Sequence, residues 1–208
     1  KQPKGWILMF HPDLLRGTSL ANKMREYSFF SYTSNEALHT SERERQTIIG
    51  CMKEIREELQ HPIDKHSKRI IATNIELLLN HCIRFYDRQF VTREEINHDV
   101  LNRFEELLIG YFDSPEVTKL GLPTVAWFAD KLHLSPNYFG DLVKRELGVS
   151  AQEYIQRHII EQAKHLLVNG RMTVSQTAYA LGYKYPNHLS RVFKQVTGIS
   201  PIEFKQQN

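Results

Sequence analysis

The sequence predicts a mainly α-helical protein in which two tandem helix-turn-helix units, joined by a long helix, follow a helical bundle and a short β remnant. Two observations support this fold class. Apolar residues recur with helical spacing from about residue 41 to the end of the 208-residue chain. In addition, the pattern that begins at Ser135 returns fifty residues later with the same turn and helix signals.

The first forty residues contain the strand-like patterns. GWILMF, at residues 5–10, and YSFFSY, at residues 27–32, are short, apolar or aromatic, and bounded by polar or turn-forming residues. Two short strands cannot form an independent sheet domain. We therefore interpret residues 1–40 as the end of a domain.

Three long amphipathic helices are predicted between residues 41 and 112. The first begins at the capping-box pair Ser41 and Glu44, and the third begins at the pair Thr92 and Glu95. The second covers residues 64–90. Residues 112–123 hold two prolines, a glycine and little periodic pattern, which is typical of a linker. The expected regions are thus 1–40, 41–112 and 113–208.

Several functions are not supported by the residues present. Cys51 and Cys82 lie in separate helical patterns without a CxxC partner, so we interpret both as packing residues. The sequence has no nucleophile arrangement, metal-ligand set or Gly-rich phosphate loop, so we expect no enzyme activity, no metal and no cofactor. There is no signal-peptide pattern and no run of eighteen apolar residues, which favours a cytoplasmic protein without membrane contact.

Positive charge is concentrated in the last of these three regions. Residues 114–208 hold 11 Lys and Arg against 7 Asp and Glu, whereas residues 1–113 hold 16 against 17.

The repeat lies in this basic region. A shift of fifty pairs identical residues at six places, namely Pro136 with Pro186, Asn137 with Asn187, Lys144 with Lys194, Gly148 with Gly198, Ser150 with Ser200 and Glu153 with Glu203.

The second copy shows what its last helix presents to solvent. If Leu189, Val192, Phe193 and Val196 are buried, then helical geometry turns the donor-bearing side chains to the opposite face. Arg pairs with guanine, Asn with adenine, and Lys with phosphate, so this face suits the major groove of DNA. The alternative is a helical protein-interaction module that does not bind DNA.

At these residues the chain resembles the AraC/XylS family of bacterial transcription regulators. The resemblance covers residues 123–206 and includes the pattern A-x-x-x-G-Y…P-x-H-L-S-R-V-F-K-x-x-x-G-x-S-P-x-E-F, from Ala178 to Phe204. It implies a regulator, typically an activator, that binds promoter operator DNA in the nucleoid and contacts RNA polymerase. It also implies that residues 1–40 end a cupin-like domain for a small-molecule effector and that residues 41–112 form a homodimer.

The resemblance also assigns candidate DNA-binding residues by position. In the second unit these are the base-edge candidates Asn187, His188, Ser190 and Arg191 and the phosphate candidates Lys184 and Lys194. In the first unit they are Asn137, Tyr138, Gly140 and Asp141, with Lys144 and Arg145 for the backbone. Family members often have a long polar residue and an Arg in place of Gly140 and Asp141. Asp141 either accepts a hydrogen bond from cytosine N4, or the first unit contributes little direct readout.

Overall fold

The computed structural model describes residues 5–207, which contain α-helices joined by turns. The chain divides into two compact units, with the division between Glu94 and Glu95. The helices are α1 (Ser19–Lys23), α2 (Glu42–Gln60), α3 (Ser67–Thr92), α4 (Glu94–Tyr111), α5 (Glu116–Leu120), α6 (Val125–Lys131), α7 (Pro136–Leu147), α8 (Ala151–Val168), α9 (Val174–Ala180), α10 (Pro186–Thr197) and α11 (Pro201–Gln207).

The predicted β remnant is wrong, because residues 5–207 contain no strand. Residues 5–10 form no regular element, and the expected second strand contains the 3-10 helix Ser28–Ser31. Phe29 of this short helix stacks on Tyr86 of α3, with ring centroids 5.4 Å apart. A strand needs a neighbouring strand for its N–H and C=O groups, and the described chain offers none. Aromatic packing on a helix therefore determines the conformation here.

The first unit is built on α2 and α3. The capping box predicted for α2 is confirmed: the Ser41 hydroxyl accepts from the Glu44 N–H, and the Glu44 carboxylate accepts from the Ser41 N–H. The apolar faces of the two helices share a core with the segment that precedes them. Its buried side chains include Leu20, Tyr27, Ile55, Ile71 and Ile75.

The third predicted helix, α4, differs from expectation in its start and in its partners. Thr92 does not cap it, because Thr92 ends α3 and its hydroxyl donates to the Gln89 carbonyl. The Phe104 ring of α4 lies edge-on to the rings of Phe128 and Phe139, at 5.0 Å between centroids in each case. These aromatic contacts group α4 with the second unit, whereas the sequence predicts the boundary between residues 112 and 113.

The second unit contains the two helical pairs, α6 with α7 and α9 with α10, and the helix α8 between them. Short hydroxyl side chains cap α6, α7 and α8, since Thr124, Ser135 and Ser150 each accept from a backbone N–H three residues later. The predicted connecting helix is confirmed as α8, with 18 residues. Its Tyr154 hydroxyl donates to the Glu105 carboxylate of α4 at 2.7 Å, and burial raises the pKa of Tyr154 to about 12.

Candidate nucleic-acid interface

Each helical pair makes its turn through one residue in the left-handed conformation. Gly182, with φ of 85°, follows α9, and His133, with φ of 58°, holds the equivalent place after α6. Glycine adopts this conformation without steric cost, and histidine is among the few other residues found there. Ala129 and Ala178 are fully buried, and their small size lets each first helix approach its neighbours closely. The two turns therefore repeat in structure as well as in sequence.

Helix α10 presents a polar face away from the core. Leu189 and Phe193 are fully buried, whereas Asn187, Arg191 and Lys194 are exposed. The steps of three and four residues place these three side chains on one stripe. The prediction that Val196 is buried is wrong: it is 40% exposed, because it lies at the edge of the apolar stripe near the end of the helix. The stripe of hydrogen-bond donors was predicted, and the structure exposes it to solvent.

Aromatic and cationic side chains surround the start of α10. The Tyr185 ring lies 5.5 Å from the Lys184 Nζ and 5.6 Å from the centre of the His188 ring. Tyr185 is 51% exposed and was missed in the sequence, where its position matches the helix-capping Ser135 of the first copy. The Ser190 hydroxyl donates to the Pro186 carbonyl at 3.2 Å, so its oxygen is left to act as an acceptor.

Helix α7 has a weaker version of the same face. Asn137, Lys144 and Arg145 are exposed, and Asp141 is partly exposed. Tyr138, predicted as a base-edge candidate, is instead buried at 5% exposure. It lies about 100° around the helix from Asn137, at the border of the apolar stripe, where a large ring gains free energy by turning inward. This correction removes Tyr138 from the exposed face.

Gly140 is the second unusual position on α7. A Cβ added there would meet no atom within 4 Å, so the space above this residue is open. Glycine inside a helix costs about 0.5–1 kcal/mol relative to alanine. The packing of the protein does not require a glycine here. The open space leaves the α7 backbone accessible from the side that carries Asn137 and Lys144.

The spacing of the two faces follows from α8. Its 18 residues rise about 27 Å at 1.5 Å per residue. One turn of B-DNA is about 34 Å long. The length of α8 is therefore comparable to one turn of DNA.

No group of three or more His, Cys, Asp and Glu side chains within 5–207 could hold a metal ion. Cys51 is buried and Cys82 is half-buried, and burial raises the pKa of the Cys82 thiol to about 11. A thiol with a raised pKa is a poor nucleophile at neutral pH. None of the helices in this range is both long and apolar enough to cross a membrane.

Comparison with known proteins identifies the second unit. Residues 128–207 match the family model described as a helix-turn-helix domain. The arabinose operon regulatory protein of Escherichia coli is 36% identical over 81 residues, which cover 39% of this chain and 28% of that protein. The E. coli helix-turn-helix-type transcriptional regulator YijO is 26% identical over 169 residues, covering 81% of this chain and 56% of its own length.

A solved structure is similar over the same unit. It is the C-terminal domain of the two-component response regulator YesN from Fusobacterium nucleatum, which is 25% identical with a TM-score of 0.43. The match covers 53% of this chain and 98% of that domain. The chain spans 11%, 26% and 56% of the length of the first three curated relatives.

The family match and the curated relatives agree with the geometry. Residues 128–207 form a helix-turn-helix domain of the AraC type, the DNA-binding domain of transcription regulators. The resemblance predicted from the sequence is thus confirmed for this domain. The fold is also confirmed as mainly α-helical, with two helical pairs joined by α8.

Proposed function

We propose that the protein is a sequence-specific transcription regulator whose helices α7 and α10 enter two successive major-groove segments of operator DNA. The observation that carries the proposal is the exposed stripe of Asn187, Arg191 and Lys194 on α10, which is presented by a turn that the first unit repeats. The length of α8 suits a separation of about one turn of DNA. Activation of transcription is the proposed outcome, as in the family that the sequence resembles.

The proposed contacts divide into two classes. Asn187 and Arg191 contact base edges, with His188, Ser190 and Tyr185 around them, whereas Lys144, Arg145, Lys184 and Lys194 contact phosphates. If these four cations each neutralise one phosphate, affinity falls by about 100-fold between roughly 50 and 200 mM salt. The first test is selection of bound duplexes from a random pool, followed by a salt titration on the selected site. A protein-interaction module would select no sequence and would show no such salt dependence.

Arg191 provides a sharper test of base recognition. We expect Arg191→Ala to cost about 1–3 kcal/mol on the selected site and to relax the preference at one base pair, because a bidentate Arg contact with guanine is lost. The matched control is Arg157→Ala, which removes an exposed charge that Glu153 already pairs at 2.6 Å. Fluorescence anisotropy with a panel of single-base variants measures both effects. Equal weakening on every sequence would assign Arg191 to the phosphate class.

The remaining partners are proposed with the same function. We propose a homodimer formed through α2 and α3, because α3 exposes Ile70 and Leu77 on one face. Three further parts of the proposal rest on the family resemblance. They are RNA polymerase as a second partner, a small-molecule effector, and a cytoplasmic location on the nucleoid. No catalytic role forms part of the proposal.

A further inference from the structure

A concave surface of the first unit is lined by several cationic side chains. It has a volume of about 580 Å³ and lies between the loop of residues 16–19 and the first half of α3. The lining carries four basic side chains, Arg16, Lys65, Lys68 and Arg69. It also carries three hydroxyl groups, on Thr18, Ser19 and Thr73. Its size is within the range of small-molecule sites, about 300–1,000 Å³.

Helical spacing and two tertiary contacts bring these groups together. Arg69, Thr73 and Glu76 follow one another at steps of four and three residues, so they lie along one face of α3. Lys65 lies in the turn before α3 and lines the same surface. The loop is fastened to that face at both ends. The Lys68 Nζ donates to the Arg16 carbonyl at 2.9 Å, and the Ser19 hydroxyl donates to the Glu76 carboxylate at 2.8 Å.

The carboxylates near this surface are already engaged. Glu76 accepts from the Lys23 Nζ at 2.7 Å, and the hydrogen bond from Lys23 lowers the pKa of Glu76. Asp13 pairs with Arg16 at 2.8 Å. Within residues 5–207, no carboxylate forms an ion pair with Lys65, Lys68 or Arg69. Three uncompensated positive charges therefore face one concave surface.

This arrangement is unfavourable for the helix itself. Like charges three and four residues apart repel each other, and cations near the start of a helix oppose its dipole. The first turn of α3 itself contains no acidic residue. The helix N–H groups are not the site, because Asp64 already accepts from the N–H groups of His66 and Ser67. The three cations repel one another in the free protein, and a bound anion would relieve that repulsion.

We propose that this surface binds a small phosphorylated molecule. The fork of Arg69 matches phosphate oxygens bidentately, Lys65 and Lys68 add two compact charges, and the exposed hydroxyl of Thr73 can donate one hydrogen bond. The concave shape favours a small ligand over the backbone of a DNA duplex. The proposal does not depend on DNA binding by the second unit, since it concerns residues 16–76 alone.

Isothermal titration of the full chain with pyrophosphate, in phosphate-free buffer at constant ionic strength, tests the proposal. We expect saturable binding of one pyrophosphate per chain and at least a tenfold loss of affinity in the double variant Lys65→Gln, Arg69→Gln. The matched control is the double variant Arg43→Gln, Lys53→Gln, which removes the same charge from exposed positions of α2 and should bind as the unmodified chain does.

Three results would overturn the proposal. One is the absence of saturable heat up to 10 mM pyrophosphate. Another is equal weakening in both double variants, which would indicate a general effect of net charge. The last is a loss of duplex DNA affinity in the Lys65 and Arg69 variant that the control does not share, which would assign the surface to DNA. Circular dichroism of both variants verifies that each remains folded.

Discussion

Gly182 and Gly121 meet backbone to backbone: a Cβ added to Gly182 would lie 2.6 Å from the carbonyl carbon of Gly121 and 2.8 Å from its oxygen. The same Gly121 oxygen accepts a hydrogen bond from the Tyr111 hydroxyl at 2.9 Å. The turn of the second helical pair therefore touches the segment that leads into the first pair. Any side chain at Gly182 would displace backbone that α4 also holds in place.

We expect Gly182→Ala to destabilise the protein more than Gly198→Ala. Both glycines have positive φ, at 85° and 84°. Alanine in this left-handed conformation therefore lowers the stability by about 1–2 kcal/mol at either position. Only Gly182 adds a clash, worth about a further 1–3 kcal/mol, because nothing lies within 4 Å of a Cβ on Gly198. Urea unfolding of the two variants measures the difference. Equal losses would show that the contact with Gly121 relaxes freely.

The parts of the fold that depend on residues close together in the sequence are predicted well from the sequence. The cap at Ser41 and the helix α8 were predicted because a capping box and a hydrophobic stripe are local patterns. The cap predicted from the same kind of pattern at Thr92 is wrong, because the Thr92 hydroxyl donates to the Gln89 carbonyl at the end of α3. A threonine near a helix boundary can serve either end, and its position alone does not distinguish them.

The missed features depend on residues far apart in the sequence. Phe29 takes a helical turn because Tyr86 offers a ring to stack on, and α4 joins the second unit because Phe104 meets Phe128 and Phe139. Tyr138 and His188 occupy matching positions of the repeat, yet the first is buried and the second is exposed. The pattern identified the polar stripe, whereas the borders of that stripe depend on tertiary packing.

The substitution Gly140→Ala is expected to affect stability and DNA affinity differently. Gly140→Ala is expected to stabilise the protein by about 0.5–1 kcal/mol, because alanine is the better helix former and its Cβ meets no atom within 4 Å. If DNA approaches the α7 backbone closely at this point, the same substitution weakens binding to the selected site. Thermal unfolding and anisotropy on one preparation provide both values. Stabilisation with unchanged affinity would place Gly140 away from the DNA.

Asp141→Ala distinguishes the two interpretations of the first unit. If Asp141 accepts a hydrogen bond from cytosine N4, the substitution costs about 1–3 kcal/mol at sites with that cytosine and relaxes the preference there. If Asp141 only repels phosphates, the substitution increases the affinity for all sequences equally and leaves the preference at each base pair unchanged. A single-base panel measured against the unmodified protein decides between them. Asn137→Ala, on the same face of α7, is the control for a general loss of contact.

The proposed dimer depends on the exposed apolar stripe of α3. Ile70 and Leu77 are 41% and 46% exposed and lie two helical turns apart, so they are on one face. We expect the unmodified chain to sediment as a dimer at tens of micromolar and the double variant Ile70→Glu, Leu77→Glu to sediment as a monomer, because buried carboxylates would oppose association. Ile109→Glu is the control, since it changes an isoleucine of α4 that is 60% exposed and should leave the dimer intact. A monomeric unmodified chain, or dissociation by the Ile109 variant alone, would contradict assembly through α3.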